Sequence, residues 1–107
     1  DPRDQFAELR QYKKAESVDG FIEWYGEMQR RLNLINDPNI LIVKFEDFVM
    51  NNEQSIKKLC KHTAISPNIK STYQSNLSKK NICKFSNLVL QNEIEKIERI
   101  FKEYTFN

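Results

Sequence analysis

The sequence predicts an α/β protein that is mostly helical within this chain and contains one buried β-strand. Apolar residues recur at intervals of three or four over four stretches, which is typical of helices with one buried face. Residues 40–45 instead form an almost unbroken apolar run with one lysine, which suits a strand buried on both faces. Such strands belong to parallel sheets flanked by helices, so an α/β parent fold is predicted.

Composition restricts the chain to one small domain or to part of one. The 107 residues are too few for two domains, and 39% of them are hydrophobic, enough for a small core. With two glycines and three prolines, the sequence is unlike a linker, a disordered tail or a turn-rich β-sandwich. No apolar run approaches the roughly 18 residues that span a bilayer, so no membrane span is predicted.

Two helices are predicted before the strand. The first covers residues 4–16 and the second residues 18–35. Pro38 stops the second helix, because proline disfavours the helical conformation at the residue before it. The inward positions are Phe6, Leu9 and Tyr12 in the first helix and Val18, Phe21, Ile22, Tyr25, Met28, Leu32 and Ile35 in the second.

The strand at residues 40–45 ends with Phe45, and Glu46 and Asp47 follow it. These two carboxylates are predicted to hold local structure by capping backbone groups rather than to act as acid or base. A single strand cannot form a sheet, so its partners must come from residues outside this chain or from another chain. Residues 1–107 are therefore predicted to be one part of a single domain.

Two more helices follow the strand. One begins at Asn51 or Asn52, either of which can cap backbone N–H groups, and ends before Pro67. Residues 66–87 are polar and rich in lysine, and they are predicted to form a long ordered loop of the kind that is commonly functional. The last helix covers residues 91–104. The inward positions are Ile56, Leu59, Cys60 and Thr63 in the helix that follows the strand, and Ile94, Ile97, Phe101 and Tyr104 in the last helix.

Positive charge is concentrated in one stretch although the net charge is only +2. No Asp or Glu lies between Glu53 and Glu93, whereas seven lysines do, so the stretch has a local charge of +7. A block like this is either a solvated face or an anion-binding surface, and the residues alone leave both open. The lysines are Lys57, Lys58, Lys61, Lys70, Lys79, Lys80 and Lys84.

The cysteines and the histidine do not form a metal-binding pattern. Cys60 and Cys83 are not a CxxC pair, and His62 does not complete the four ligands of a zinc site. No metal is therefore predicted, and His62 is not expected to be catalytic. Two free thiols, favoured here over a disulfide, are typical of a reducing compartment, which predicts a cytoplasmic location.

Four segments resemble motifs of sulfotransferases that use 3′-phosphoadenosine-5′-phosphosulfate. Residues 1–4 resemble the R-[DN]-P-R-D stretch without its first arginine, and residues 40–49 resemble the strand that ends in [YF]-E-D-L. Residues 59–61 resemble the start of L-C-x-F-L-G, and residues 78–85 resemble S-K-x-N-I-G-R-[YW], followed by a helix rich in E-x-I-x-x-I-E. They occur in the family's order over nearly the whole chain.

The chain departs from this family pattern at three places. The serine that binds the 3′-phosphate in the family falls at Glu8, which cannot play that role directly. Cys83 replaces the glycine of the late motif. The first arginine of the opening motif would lie before Asp1.

The resemblance implies that this chain is the C-terminal part of a P-loop-like α/β fold with a central parallel sheet. The loop that binds the 5′-phosphosulfate, a lysine that stabilises charge and the catalytic base would then lie upstream. No catalytic residue is therefore expected here, and the fragment alone is expected to be inactive. The intact protein would transfer a sulfuryl group from 3′-phosphoadenosine-5′-phosphosulfate to a hydroxyl or amine acceptor, for example a carbohydrate or another small molecule.

Five residues are expected to contact the nucleotide. Lys79, Lys80 and Asn81 lie in the late motif, whose ammonium groups would pair with the 3′-phosphate. Phe45 would contact the adenine, or else it is a core residue at the end of the strand. Arg3 would approach the phosphate or pair with a nearby carboxylate. Trp24, on the second helix, is expected to pack in the core or on the acceptor side.

Two other functions stay open. A non-catalytic helical interaction module accounts for the amphipathic helices and the near-neutral charge, but not for a buried strand. A lysine-rich nucleic-acid-binding domain accounts for the basic stretch. That class is expected to carry more arginine and exposed aromatic residues there, and the stretch contains no arginine. No nucleic-acid partner is therefore predicted.

Overall fold

The computed structural model describes residues 1–66 and 73–106. These residues divide into two compact units. Unit 1 contains residues 1–35 and 83–106, and unit 2 contains residues 36–66 and 73–82. The helices are α1 (Pro2–Gln11), α2 (Val18–Asn33), α3 (Phe45–Met50), α4 (Asn52–Thr63), α5 (Ser75–Lys79) and α6 (Gln91–Ile100), with 3₁₀ helices at Lys84–Asn87 and Lys102–Tyr104.

Unit 1 is held together by a core of aromatic and aliphatic side chains from α1, α2, α6 and the residues that flank α6. Tyr25 and Phe101 pack edge to face with ring centroids 4.9 Å apart, and the rings of Phe6 and Phe21 lie 5.1 Å apart. Aromatic pairs at these distances stabilise a core beyond the area that they bury. The buried cluster is Phe6, Ala7, Phe21, Tyr25, Val89, Ile94, Ile97 and Phe101.

Helix α1 begins and ends earlier than the predicted range of residues 4–16. Asp1 caps it by accepting a hydrogen bond from the backbone N–H of Arg3 at 2.8 Å, and Pro2 occupies the first turn, where no N–H is needed. Lys13 adopts a left-handed conformation with φ of 55°, and the N–H of Lys14 donates to the carbonyl of Leu9 at 2.8 Å. This hydrogen bond between residues five positions apart closes the last turn and ends the helix.

The predicted second and last helices agree with α2 and α6 to within a few residues. Ser17 caps α2, its hydroxyl oxygen accepting from the N–H of Gly20 at 3.1 Å. Helix α6 ends at Ile100, and a 3₁₀ turn, Lys102–Tyr104, completes the predicted range 91–104. Phe21 and Tyr25 are buried as the apolar stripe predicts, whereas Ile35 lies beyond the end of α2 and is exposed.

Unit 2 consists of α3, α4 and α5, with α3 packed against both of the others. Val49 of α3 is buried, and the hydroxyl of Ser55 in α4 donates to the carbonyl of Asp47 at 3.1 Å. The rings of Phe48 and Tyr73 meet edge to face at 5.1 Å. Helix α4 begins as predicted. The predicted loop 66–87 instead contains α5 and the first 3₁₀ helix, while its residues 67–72 lie outside the described part of the chain.

The predicted strand at residues 40–45 is wrong. Residues 40–44 have no regular secondary structure, Phe45 begins α3, and no β-strand occurs in residues 1–66 and 73–106. Ile42 is 60% exposed, so the segment is not buried on both faces either. The physical reason is that a strand needs a backbone partner, and none of the described segments pairs with this one.

Two isoleucines on α6 provide a test of the unit 1 core. Ile97 is 0% exposed and Ile100 is 47% exposed on the same helix. Replacing Ile97 by Ala should lower the free energy of unfolding by about 2–5 kcal/mol, since it leaves a cavity in a packed core. Ile100→Ala should change it by less than about 1 kcal/mol. Urea denaturation followed by circular dichroism measures both, and equal effects would contradict this packing.

Candidate functional site

The first and last of the four sequence motifs meet in unit 1. The buried carboxylate of Asp4 accepts two backbone hydrogen bonds, from the N–H of Cys83 at 2.8 Å and from the N–H of Phe85 at 3.0 Å. These N–H groups lie where the 3₁₀ helix Lys84–Asn87 begins. One carboxylate therefore fixes residues 83–85, the end of the late motif, on α1, and we call this contact region the motif junction (residues 1–8 with 83–85).

Arg3 is a structural residue of this junction. It is 5% exposed, and its guanidinium donates to the carboxylate of Asp1 at 2.6 and 3.0 Å and to that of Glu98 at 2.5 Å. It also donates to the carbonyl of Phe106 at 2.5 Å and lies 4.3 Å from the ring centroid of Phe85. These contacts agree with the carboxylate-pairing alternative for Arg3, and its phosphate contact stays a prediction.

Glu8 and Lys84 form an ion pair across the junction. Glu8 lies on α1, at the position where the resemblance places a phosphate-binding serine, and Lys84 opens the 3₁₀ helix of the late motif. Sequence reasoning identified Glu8 as a departure and Lys84 as one of seven lysines, but it did not pair them. The two residues are 76 positions apart, so no local signal connects them.

Cys83 adopts a left-handed conformation, with φ of 58° and ψ of 27°. A side chain at Cβ makes this conformation unfavourable, whereas glycine adopts it readily. The backbone at this position therefore suits the glycine that the resemblance places there. Cys83 and Cys60 are both free thiols.

The late-motif lysines project from the end of α5 in unit 2. Lys79 and Lys80 are both exposed, and neither forms an ion pair with another described residue. The N–H of Asn81 donates to the carbonyl of Ser78 at 3.0 Å, and the N–H of Ile82 donates to that of Lys79 at 3.1 Å. Because the turn uses these backbone donors, only side chains are available here to contact an anion.

Phe45 lies at the first position of α3 in the same unit. Its side chain is 46% exposed, so among the described residues it is not a core residue. Glu46 is buried and Asp47 follows it in the first turn of α3, where carboxylates favour the helix. His62 is exposed, and its Nε2 contacts the carbonyl of Asn39 at 3.1 Å, which is a structural role.

A shallow depression on unit 1 lies beside Trp24, whose ring is 47% exposed rather than buried in the core. Glu27 borders it, and the hydrogen bonds that Arg30 and Arg31 donate lower the pKa of Glu27 to about 2. Its carboxylate therefore stays ionised at neutral pH. Its lining includes the aromatic residues Trp24 and Phe101 and the charged residues Glu23, Glu27 and Arg31.

In residues 1–66 and 73–106, no group of three His, Cys, Asp or Glu side chains is placed to hold a metal ion. Within the same residues, every helix is too short or too polar to cross a membrane.

Residues 5–105 match the family model described as sulfotransferase domain. This match extends over nearly the whole chain, and the chain therefore belongs to the sulfotransferase domain family, whose members transfer sulfate groups. No curated protein and no solved structure matches the chain.

Asp4 provides a test of the motif junction. Asp4→Ala should lower the free energy of unfolding by about 3 kcal/mol, because it leaves two backbone N–H groups without their charged acceptor. Asp19, which pairs with Lys96 at the exposed start of α2, is the matched control, and Asp19→Ala should cost less than about 1 kcal/mol. Urea denaturation measures the free energy of unfolding of both variants. An Asp4→Ala variant as stable as the unchanged protein would contradict a structural role for the junction.

The two cysteines test the backbone of the late motif. Cys83→Gly should raise the free energy of unfolding by about 0.5–1 kcal/mol, because glycine relieves the left-handed strain. Cys60→Gly, in the interior of α4, should instead lower it by about 1 kcal/mol. Thermal denaturation measures both, and effects of the same sign would argue against the positive φ at Cys83.

Proposed function

We propose that this chain is part of a sulfotransferase that transfers a sulfuryl group from 3′-phosphoadenosine-5′-phosphosulfate to a hydroxyl or amine acceptor, for example a carbohydrate. The family match over residues 5–105 carries the proposal, since it defines the reaction class. The donor and the acceptor class come from the resemblance of the motifs. Lys79, Lys80 and Asn81 are the proposed contacts of the donor's 3′-phosphate.

The side chains at the C-terminal end of α5 support this assignment. A 3′-phosphate carries nearly two negative charges, and exposed ammonium groups pair with it through charge-assisted hydrogen bonds. Lys79 and Lys80 are exposed, and no other described side chain forms an ion pair with them. The side-chain amide of Asn81 adds two neutral donors next to them. The late motif therefore combines charge and hydrogen-bond donors on a single turn.

Phe45 is the proposed contact of the adenine. Its ring is exposed at the start of α3, and α3 packs against α5, so both proposed contacts belong to unit 2. An exposed aromatic ring offers a face or an edge to a purine. Its exposure supports this role over that of a core residue.

The reaction itself requires groups that we assign to residues outside this chain. Sulfuryl transfer resembles phosphoryl transfer, because donor and acceptor oxygens must lie in line and charge on the leaving phosphate must be stabilised. We propose that an upstream loop and base supply these functions and that the chain alone is inactive. We propose that the parallel sheet of a P-loop-like fold also lies in those upstream residues, since the part of the chain that the structure describes contains no β-strand.

The acceptor site is proposed from one surface depression, and the location of the protein is proposed from its two cysteines. The depression beside Trp24 is lined by aromatic and charged side chains, which can contact the faces and the hydroxyl groups of an acceptor. The two free thiols support the cytoplasmic location that the sequence predicts.

Calorimetry on the full-length protein tests the donor assignment. Adenosine 3′,5′-bisphosphate should bind, and Lys79→Ala and Lys80→Ala should each weaken it about tenfold, since each removes a charge-assisted contact. Lys58→Ala removes an exposed lysine of α4 in the same unit and should leave the affinity essentially unchanged.

A random oligonucleotide is the competing ligand in the same experiment. Nucleotide binding that depends on Lys79 and Lys80 supports the donor site. Equal binding of both ligands, with equal losses for all three lysine variants, would favour a nucleic-acid-binding domain that reads only the phosphate backbone.

A further inference from the structure

We propose that the depression beside Trp24 binds a neutral carbohydrate, with the indole of Trp24 stacking on a sugar ring and the carboxylate of Glu23 accepting hydrogen bonds from its hydroxyl groups. The inference rests on the proposed function, because it names the acceptor class of the surface proposed there. It assigns Trp24 and Glu23 as specificity-determining residues. Every residue that carries it belongs to unit 1.

The indole of Trp24 is exposed to a ligand but held in place by the core. The residue is 47% exposed, and its ring centroid lies 6.0 Å from that of Phe21, which is 3% exposed. Phe21 in turn packs against Phe6 with ring centroids 5.1 Å apart. Because the ring is already positioned, a ligand can stack on it without the entropic cost of ordering it.

The surface beside the indole continues beyond a single depression. Trp24 and Gly20 line the depression described above and also a neighbouring one, whose lining includes Lys14 and Glu16. Gly20 has no side chain to separate the two, so a ligand longer than one ring can extend from one into the other. This continuity favours an oligosaccharide over a single sugar.

Formal charges cancel around the depression beside Trp24. The carboxylate of Glu27 accepts hydrogen bonds from Arg30 at 2.8 and 2.9 Å and from Arg31 at 2.8 Å. Together with Glu23, two carboxylates therefore face two guanidinium groups. A balanced surface attracts neither anions nor cations over long distances, so its chemistry favours a neutral ligand.

Glu23 supplies the available hydrogen-bond acceptor. It is exposed and forms no hydrogen bond or ion pair with another described residue, whereas Glu27 is occupied by its two arginines. Arg31 bonds Glu27 through Nε, so its terminal nitrogen atoms can still donate to a ligand oxygen. A hydroxyl group both donates and accepts, so this combination suits a ligand with several hydroxyl groups.

The shallow shape of the depression separates a carbohydrate from an apolar alcohol. Small-molecule sites usually bury about 70–90% of an apolar ligand, and a shallow surface cannot do so. A sugar ring presents C–H groups on one face, which can stack on the negative face of an indole, while its hydroxyl groups stay hydrated. A ligand with one apolar face and a polar edge therefore fits this surface best.

Glycan binding by the full-length protein in the absence of nucleotide tests the inference. The probes are neutral oligosaccharides on an array, together with sulfated forms of the same oligosaccharides, and calorimetry then measures the affinity for the neutral probe that binds best. Trp24→Ala should weaken this affinity about tenfold or more, and Trp24→Phe should retain part of it, because a smaller ring still stacks. Glu23→Gln should weaken it about threefold to tenfold, because a charge-assisted hydrogen bond is lost.

Two matched controls separate stacking and hydrogen bonding from general surface changes. Tyr12→Ala removes another exposed aromatic side chain of unit 1 that lines neither depression. Glu103→Gln removes an exposed carboxylate in the 3₁₀ helix Lys102–Tyr104 and changes the net charge as Glu23→Gln does. Both variants should bind the sugar as the unchanged protein does, and circular dichroism confirms that each variant is folded.

The inference is overturned if no neutral oligosaccharide binds, or if Trp24→Ala binds as well as the unchanged protein. It is also overturned if the sulfated probes bind more tightly than their neutral forms, which would indicate a surface that attracts anions. Failure of the donor assignment has a different signature, namely an affinity for adenosine 3′,5′-bisphosphate that Lys79→Ala and Lys80→Ala do not change. Sugar binding that depends on Trp24 supports the carbohydrate site whichever result the nucleotide gives.

Discussion

The contact between the Asp4 carboxylate and the backbone of residues 83–85 is the constraint on which unit 1 depends. Unit 1 is assembled from two segments that are separated by 47 residues of sequence, residues 36–82. Apolar packing between α1, α2 and α6 is not directional, whereas two hydrogen bonds to one carboxylate fix the position and the orientation of the returning chain. The late motif ends at this point, and Lys84 lies between the two donors, so the same bonds set where Lys84 projects.

The chain holds two kinds of positive charge, and their difference organises its proposed chemistry. Arg3 and Lys84 in unit 1 are paired with carboxylates, so they stabilise structure. Lys79 and Lys80 in unit 2 are exposed and form no ion pair with another described residue, so an anion can approach them without displacing a partner. The sequence stretch of +7 charge is therefore not a uniform basic surface, although every cation in it is a lysine.

The helices could be predicted because their signal is local. The apolar stripe of α2 and the start of α4 at Asn52 depend on a few neighbouring residues, and both were confirmed. The predicted side-chain cap was not, because Asn51 accepts no capping hydrogen bond. The segment 40–45 carries the composition of a strand, but a strand also requires a partner that no local pattern specifies. The same limit applied to the site, since Glu8 and Lys84 were each visible while their pairing over 76 positions was not.

The two departures from the family pattern within this chain are neighbours in the structure. Glu8 pairs with Lys84, and Lys84 directly follows Cys83. A carboxylate at position 8 satisfies the one lysine of the junction, while a non-glycine residue at position 83 adds backbone strain beside it. At the junction, the Asp4 carboxylate fixes the backbone of residues 83 and 85, and the Glu8 carboxylate neutralises the lysine between them.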